Sequence, residues 1–87
     1  MKSNKLCIPR VEPNVTPKLI YEIFTRLNIG NIDTITIVTK NHNKVFIEFK
    51  NWYDNKRANY IKERLDNDEP VNIMYQTPWF WKIKYAY

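Results

Sequence analysis

The sequence has few of the residues that cross-link small proteins through disulfides or bind structural metal ions. Among 87 residues it has one cysteine, Cys7, and one histidine, His42. A single cysteine excludes an internal disulfide, and these two residues are too few for a cysteine–histidine zinc cage. We therefore expect a fold held by its hydrophobic core in a reducing compartment, with no metal and no other cofactor.

Long hydrophobic runs and catalytic motifs are also missing. No segment approaches the roughly 18 apolar residues of a membrane span, and the apolar stretch after the first five residues is too short for a signal peptide. With one glycine, Gly30, the chain has no glycine-rich phosphate loop, and it has no serine–histidine–acid set or HExxH. We expect an intracellular protein that is neither an enzyme nor bound to a membrane.

What the chain does contain is apolar and basic. The hydrophobic content of 44% and aromatic content of 15% predict one folded domain over residues 1–87. The formal net charge is +5, which favours a polyanionic partner such as nucleic acid.

Hydrophobic periodicity predicts six elements in the order strand, helix, strand, strand, helix, strand. Thr16 and Pro17 are typical of a helix start, and Gly30 suits a left-handed residue after that helix. The predicted ranges are 5–11, 17–27, 33–39, 44–49, about 52–66 and 71–75.

This order predicts an α+β, ferredoxin-like βαββαβ fold, with a four-stranded antiparallel sheet and two helices on one face. Residues 5–77 form the expected core, and residues 78–87 an aromatic C-terminal extension. The free face of the sheet is expected to carry the following side chains: Cys7, Phe46, Glu48, Asn72 and Met74.

Two segments, Leu6–Val11 and His42–Phe49, resemble the strand motifs of the RNA recognition motif (RRM) family. In that family, exposed aromatic residues of the first and third strands stack on RNA bases. Phe46 matches one of these positions, whereas Cys7 and Lys44 occupy the other two. The resemblance covers nearly the whole domain and implies a non-catalytic module that binds single-stranded RNA on its sheet face.

A narrower resemblance rests on three segments, Cys7–Val11, Val45–Phe49 and Pro78–Lys82. Together they are similar to small RRM-like proteins encoded by giant DNA viruses. That resemblance implies a viral protein in the host cytoplasm or viral factory, or one packaged in the virion.

The C-terminal segment alternates in a way that allows three interpretations. If it is extended, Trp79 and Trp81 share one side, and Phe80, Lys82 and Lys84 share the other. The tryptophans could stack on bases, pack as additional core, or dock a partner protein.

The candidate binding residues combine rings with cations. Phe46 either contacts a base or is covered by the C-terminal segment, and the cations either hold phosphates or form a solvated rim. The candidates are Phe46, Trp79 and Trp81 for stacking, with Arg10, Lys44, Lys82 and Lys84 for phosphate.

The alternative function is a protein–protein interaction module of the same fold, such as a virion component or assembly adaptor. The oligomeric state stays open. Three groups have a structural interpretation only: Cys7 as a small buried residue, Trp52 and Tyr53 as packing residues, and the second-helix cations Lys56, Arg57, Lys62 and Arg64 as a solvated face.

Overall fold

Five antiparallel strands and two helices make up the protein, as described by a computed structural model for residues 4–76 and 79–86. The strand order in the sheet is β2-β3-β1-β5-β4. The elements are β1 (Lys5–Val11), α1 (Pro17–Leu27), β2 (Gly30–Thr39), β3 (Asn43–Trp52), α2 (Lys56–Asp66), β4 (Val71–Gln76) and β5 (Trp79–Tyr85).

The prediction of a four-stranded sheet is wrong, because the C-terminal segment forms a fifth strand. β5 lies between β1 and β4, and its residues Lys84 and Tyr85 pair with Cys7 and Leu6 of β1. Residues 79–85 therefore belong to the sheet and are not an extension of a completed domain. Pro78 and Tyr87, which were assigned to that extension, lie outside the described residues.

One hydrophobic core fills the space between the sheet and the helices. Alternate residues of the strands point into it because successive side chains of a strand lie on opposite faces. Each helix buries one apolar stripe: α1 buries Ile20, Ile23 and Phe24, with Leu27 partly buried beside them, and α2 buries Ala58, Ile61 and Leu65. The other face of the sheet, called the open face below, is not covered by either helix. Within the described residues neither helix is long and apolar enough to cross a membrane.

Both helices begin at a side-chain cap. The backbone N–H of Leu19 donates to Thr16 Oγ1 at 3.2 Å, as the Thr-Pro pair predicts. The start of α2 differs from the prediction, since β3 continues through Trp52. Asn55 caps α2 by accepting from the N–H of Ala58 at 2.8 Å, and its side-chain amide donates to the carbonyl of Asn28 at 2.8 Å. Asn55 thus joins the end of one helix to the start of the other.

Gly30 has a different role from the one predicted. The left-handed residue at the end of α1 is Asn28, with a φ of 56°, and Gly30 has no positive φ. A Cβ atom on Gly30 would lie 2.9–3.0 Å from three atoms of the Phe49 ring. That ring is buried and held edge-on by Trp52, with centroids 5.0 Å apart. The position requires glycine because the phenyl ring occupies the space of a side chain.

We expect Gly30→Ala to lower the free energy of unfolding by about 1–3 kcal/mol, the usual cost of overpacking a core. Urea denaturation at neutral pH measures the change. Asn31→Ala is the matched control, because Asn31 is the next residue of β2 and is exposed. Equal stability of the Gly30→Ala variant and the control would contradict the assigned role of the Phe49 contact.

Candidate nucleic-acid interface

The centre of the open face is a row of side chains that crosses four strands. Phe46 of β3 pairs with Thr36 on one side and with Cys7 on the other, and Cys7 pairs in turn with Lys84 of β5. Directly opposed residues of antiparallel strands point to the same face. The prediction that Cys7 and Phe46 share the free face is therefore confirmed, and Lys84 joins them there.

Phe46 is partly exposed and has a cation over its ring. The Nζ atom of Lys5 lies 5.2 Å from the ring centroid, a distance at which the ring quadrupole attracts the ammonium group. Lys5 pairs across the sheet with Glu48, the one carboxylate of the open face near this ring. Lys5 was not among the predicted site residues, although its place two residues before Cys7 on a strand puts it on the same face.

Cys7 is buried despite lying on this face, with an exposure of only 4%. Burial raises the pKa of its thiol, and this effect outweighs the opposite influence of the Lys44 and Lys84 ammonium groups. The thiol therefore stays protonated at neutral pH, and the group is a packing residue as predicted. Among the described residues no cluster of three or more histidine, cysteine, aspartate or glutamate side chains could hold a metal ion.

A second set of open-face side chains lies on β4 and β5. Phe80 is 48% exposed and pairs with Met74, which is 60% exposed, while Lys82 pairs with Asn72. The predicted positions of Asn72 and Met74 on the free face are confirmed. Phe80 was not predicted as a binding residue. The signal was present in the alternation of the segment, which places Phe80 with Lys82 and Lys84.

Trp81 is not available to a base, because it is 2% exposed and faces the core. Its indole stacks on Tyr75 with ring centroids 4.2 Å apart and an interplanar angle of 15°. Of the three interpretations, core packing is the one that holds for this residue. Trp79 shares its side of β5 by alternation but is 63% exposed, so it lies at the strand end and away from the open face.

Glu12, in the turn after β1, uses both carboxylate oxygens to fix this stack. The Tyr75 hydroxyl donates to Oε1 at 2.6 Å, and the Trp81 indole N–H donates to Oε2 at 3.4 Å. The hydrogen bond from Tyr75 lowers the pKa of Glu12, with a smaller contribution from Trp81, and the same bond raises the pKa of the Tyr75 hydroxyl. The cluster ties the β1–α1 turn to the edge of the sheet.

A groove of about 770 Å³ lies where β1 ends and β5 begins. Arg10 and Lys82 line it from these two strands, Phe80 lines its side, and Lys40 lines it from the turn between β2 and β3. That turn also borders a smaller depression of about 230 Å³ that contains Lys44 and Phe46. Of the predicted cations, Lys84 therefore lies in the central row of the open face, and Arg10, Lys44 and Lys82 lie nearer to the end of that face.

The excess positive charge belongs to the sheet. Residues 13–29 and 53–70, which contain the helices, carry six basic and six acidic side chains, whereas the remaining described residues carry seven basic and three acidic ones. Several helix cations also have local partners: both Arg64 Nε and Nη2 donate to the carbonyl of Pro70, and Arg57 donates to that of Leu27. The excess positive charge therefore lies on the strands and the turns that join them, which also carry Phe46 and Phe80.

This chain matches no protein-family model, no curated protein and no solved structure.

Replacing the Tyr75 hydroxyl tests the Glu12 cluster. We expect Tyr75→Phe to raise the pKa of Glu12 toward its ordinary value, as followed by an NMR titration of the carboxyl carbon. Because the folded-state pKa of Glu12 is lowered, its stabilising effect is present above the unfolded pKa of about 4.3 and is lost as pH falls through the folded pKa. The variant should therefore lose less stability than the wild type on acidification.

Tyr85→Phe is the matched control, because it also removes a tyrosine hydroxyl. The Tyr85 hydroxyl donates a hydrogen bond to Asp66 at 2.8 Å and not to Glu12. An unchanged Glu12 titration in Tyr75→Phe would show that the 2.6 Å contact does not set this pKa.

Proposed function

We propose that this protein is a non-catalytic, RRM-like nucleic-acid-binding module, that single-stranded RNA is its ligand, and that the open face is the binding surface. The observation that carries the proposal is that the partly exposed ring of Phe46 and the exposed ring of Phe80 share the open face of the sheet, whose strands and turns carry the excess positive charge. A ferredoxin-like core, in which β5 takes the place of the expected fourth strand beside β1, supports the same assignment.

Each group has a role in this proposal. Bases stack on Phe46 and Phe80, an interaction worth about 1–3 kcal/mol per base. Lys44, Lys82 and Lys84 neutralise phosphates along the face, and Arg10 does so in the groove at its end. Trp79 is exposed at the start of β5 but does not share the open face with Phe80, and Trp81 only supports the surface from below.

The spacing of the rings sets how the strand would run. Phe46 and Phe80 lie two strands apart across the sheet and about four residues apart along it, since Lys84 is in the row of Phe46. Strand spacing and rise then give a separation of roughly 16 Å. Such a distance is too long for adjacent stacked bases, so the rings take bases separated by intervening nucleotides, with Lys82 and Lys84 in reach of the phosphates between them.

A second candidate function is protein recognition by the same fold, as a virion component or assembly adaptor in the host cytoplasm or viral factory. The observation that favours it is the group of exposed apolar side chains at one end of the β4–β5 pair: Met74, Trp79 and Phe80. Aromatic residues of this kind dominate the energy of protein interfaces. A ligand that depends on Phe80 and Trp79 but not on Phe46 or the lysines would favour this function.

Removal of the rings tests the stacking model. We expect Phe46→Ala and Phe80→Ala each to weaken binding of single-stranded RNA by about 5- to 150-fold, which corresponds to about 1–3 kcal/mol. Fluorescence anisotropy with a labelled oligonucleotide at fixed low salt measures the affinity, with duplex RNA and DNA as competitors. Tyr60→Ala is the control, because Tyr60 is an exposed aromatic residue that lies on α2 and away from the open face. If both phenylalanine variants bind like the Tyr60 control, the open face is not the RNA surface.

The lysines are tested through salt dependence. Lys82→Gln and Lys84→Gln should each reduce the slope of log affinity against log salt by about 0.7, the value for one phosphate contact to a single strand. Lys18→Gln and Lys56→Gln remove the same charge from the helices and should leave the slope unchanged. Equal slopes for both pairs of variants would show that binding follows net charge and has no preferred face.

A further inference from the structure

The two edges of the sheet differ in how they are protected against pairing with another strand. β4 forms one edge, has six residues, follows Pro70 directly and is interrupted by a register shift between Met74 and Gln76. Short length, proline and bulges are devices that block edge-to-edge association. The other edge is β2, which has ten residues and no proline or lysine within it; its two register shifts and its one charged residue, Asp33, all lie before or at the start of Thr34–Thr39.

The unprotected part of β2 is Thr34–Thr39, with the sequence TITIVT. Its register with β3 is regular from Thr34 onward, and it has no charge and no glycine. Six-residue segments with high β-propensity, no net charge and no proline are the ones that pair readily with a further strand. Two of its residues, Ile35 and Ile37, pack against the core but keep part of their surface exposed.

We infer that β2 is an interface for a second copy of this chain, which pairs antiparallel with it about a two-fold axis at Thr36. An antiparallel pair of identical strands is self-complementary, so one surface serves both partners. In this register Thr36 lies opposite Thr36, Thr34 opposite Val38 on the open face, and Ile35 opposite Ile37 on the helix side. The pair forms a continuous ten-stranded sheet, and each isoleucine covers the exposed part of the other.

Charge and shape favour a second copy as the occupant. No like charges oppose each other within the paired segment, because Thr34–Thr39 is uncharged. On the helix side, a groove of about 300 Å³ beside Ile35 is lined by the exposed ring of Tyr21 and by the side chains of Lys18 and Asp33, which have opposite charges, and it has room for an isoleucine of the incoming strand. The basic open faces of the two copies lie side by side in the dimer. Their repulsion is screened by salt, so dimerisation should strengthen as ionic strength rises, opposite to the behaviour of RNA binding.

Sedimentation velocity and light scattering of the full chain, from about 1 μM to about 1 mM, test this inference. The wild type should form a dimer at the upper end of that range. Thr36→Lys and Thr36→Glu each place like charges directly opposite one another and should raise the dimer dissociation constant at least about fivefold. An equimolar mixture of the two variants replaces repulsion with attraction, so it should recover a dimer that is as tight as the wild type or tighter.

The mixture makes the test independent of folding, because two misfolded variants would not restore each other. Asn72→Lys and Asn72→Glu are the matched controls, since they change the same charges on the open face at the opposite edge; neither should alter the dissociation constant beyond the effect of net charge at low salt. A wild type that stays monomeric at about 1 mM would overturn the inference. So would a dimer that responds equally to the Thr36 and Asn72 variants.

Discussion

The rest of the open face depends on which side chains of β5 point into the core and which point away from it. Side chains of a strand alternate between two faces, so one anchored residue fixes the direction of all the others. Trp81 is that anchor: its indole is buried, stacks on Tyr75 and donates to Glu12. With Trp81 directed inward, Phe80, Lys82 and Lys84 must point outward. A slip of one residue would bury Lys82 and Lys84 and expose Trp81. That register is disfavoured because burying two unpaired charges costs a large amount of free energy.

Local patterns predicted the elements far better than their arrangement. The stripe of Ile20, Ile23 and Phe24 and the Thr16 cap identify α1 without any long-range information, because helix periodicity and capping are properties of neighbouring residues. The place of β5 was missed because pairing with β1 joins residues nearly 80 positions apart in the chain. The start of α2 was misplaced because aromatic Trp52 suits a strand or a helix, and the geometry of Asn55 decides between them.

The residues of the open face could be predicted in part for the same reason. Phe46 and Cys7 follow from strand alternation within β3 and β1, and their pairing needs only the sheet order. Phe80 could not be assigned until the side of Trp81 was known, although the sequence shows that the two residues lie on opposite faces. The net charge of +5 was visible from composition, but its concentration on the strands emerges only when the balanced charges of the helices are separated from it.

The residues around Phe46 also bear on how selective the proposed RNA binding can be. Under the proposed RRM-like assignment, two positions expected to carry further stacking rings hold a buried thiol, Cys7, and a lysine, Lys44. Exchanging a ring for an ammonium group exchanges stacking for phosphate attraction, which is sensitive to salt and carries no sequence information. The remaining ring contacts accept any base, because every base has a π-face. A face with this balance of groups would select single strands over duplexes through its exposed rings, while discriminating little among sequences.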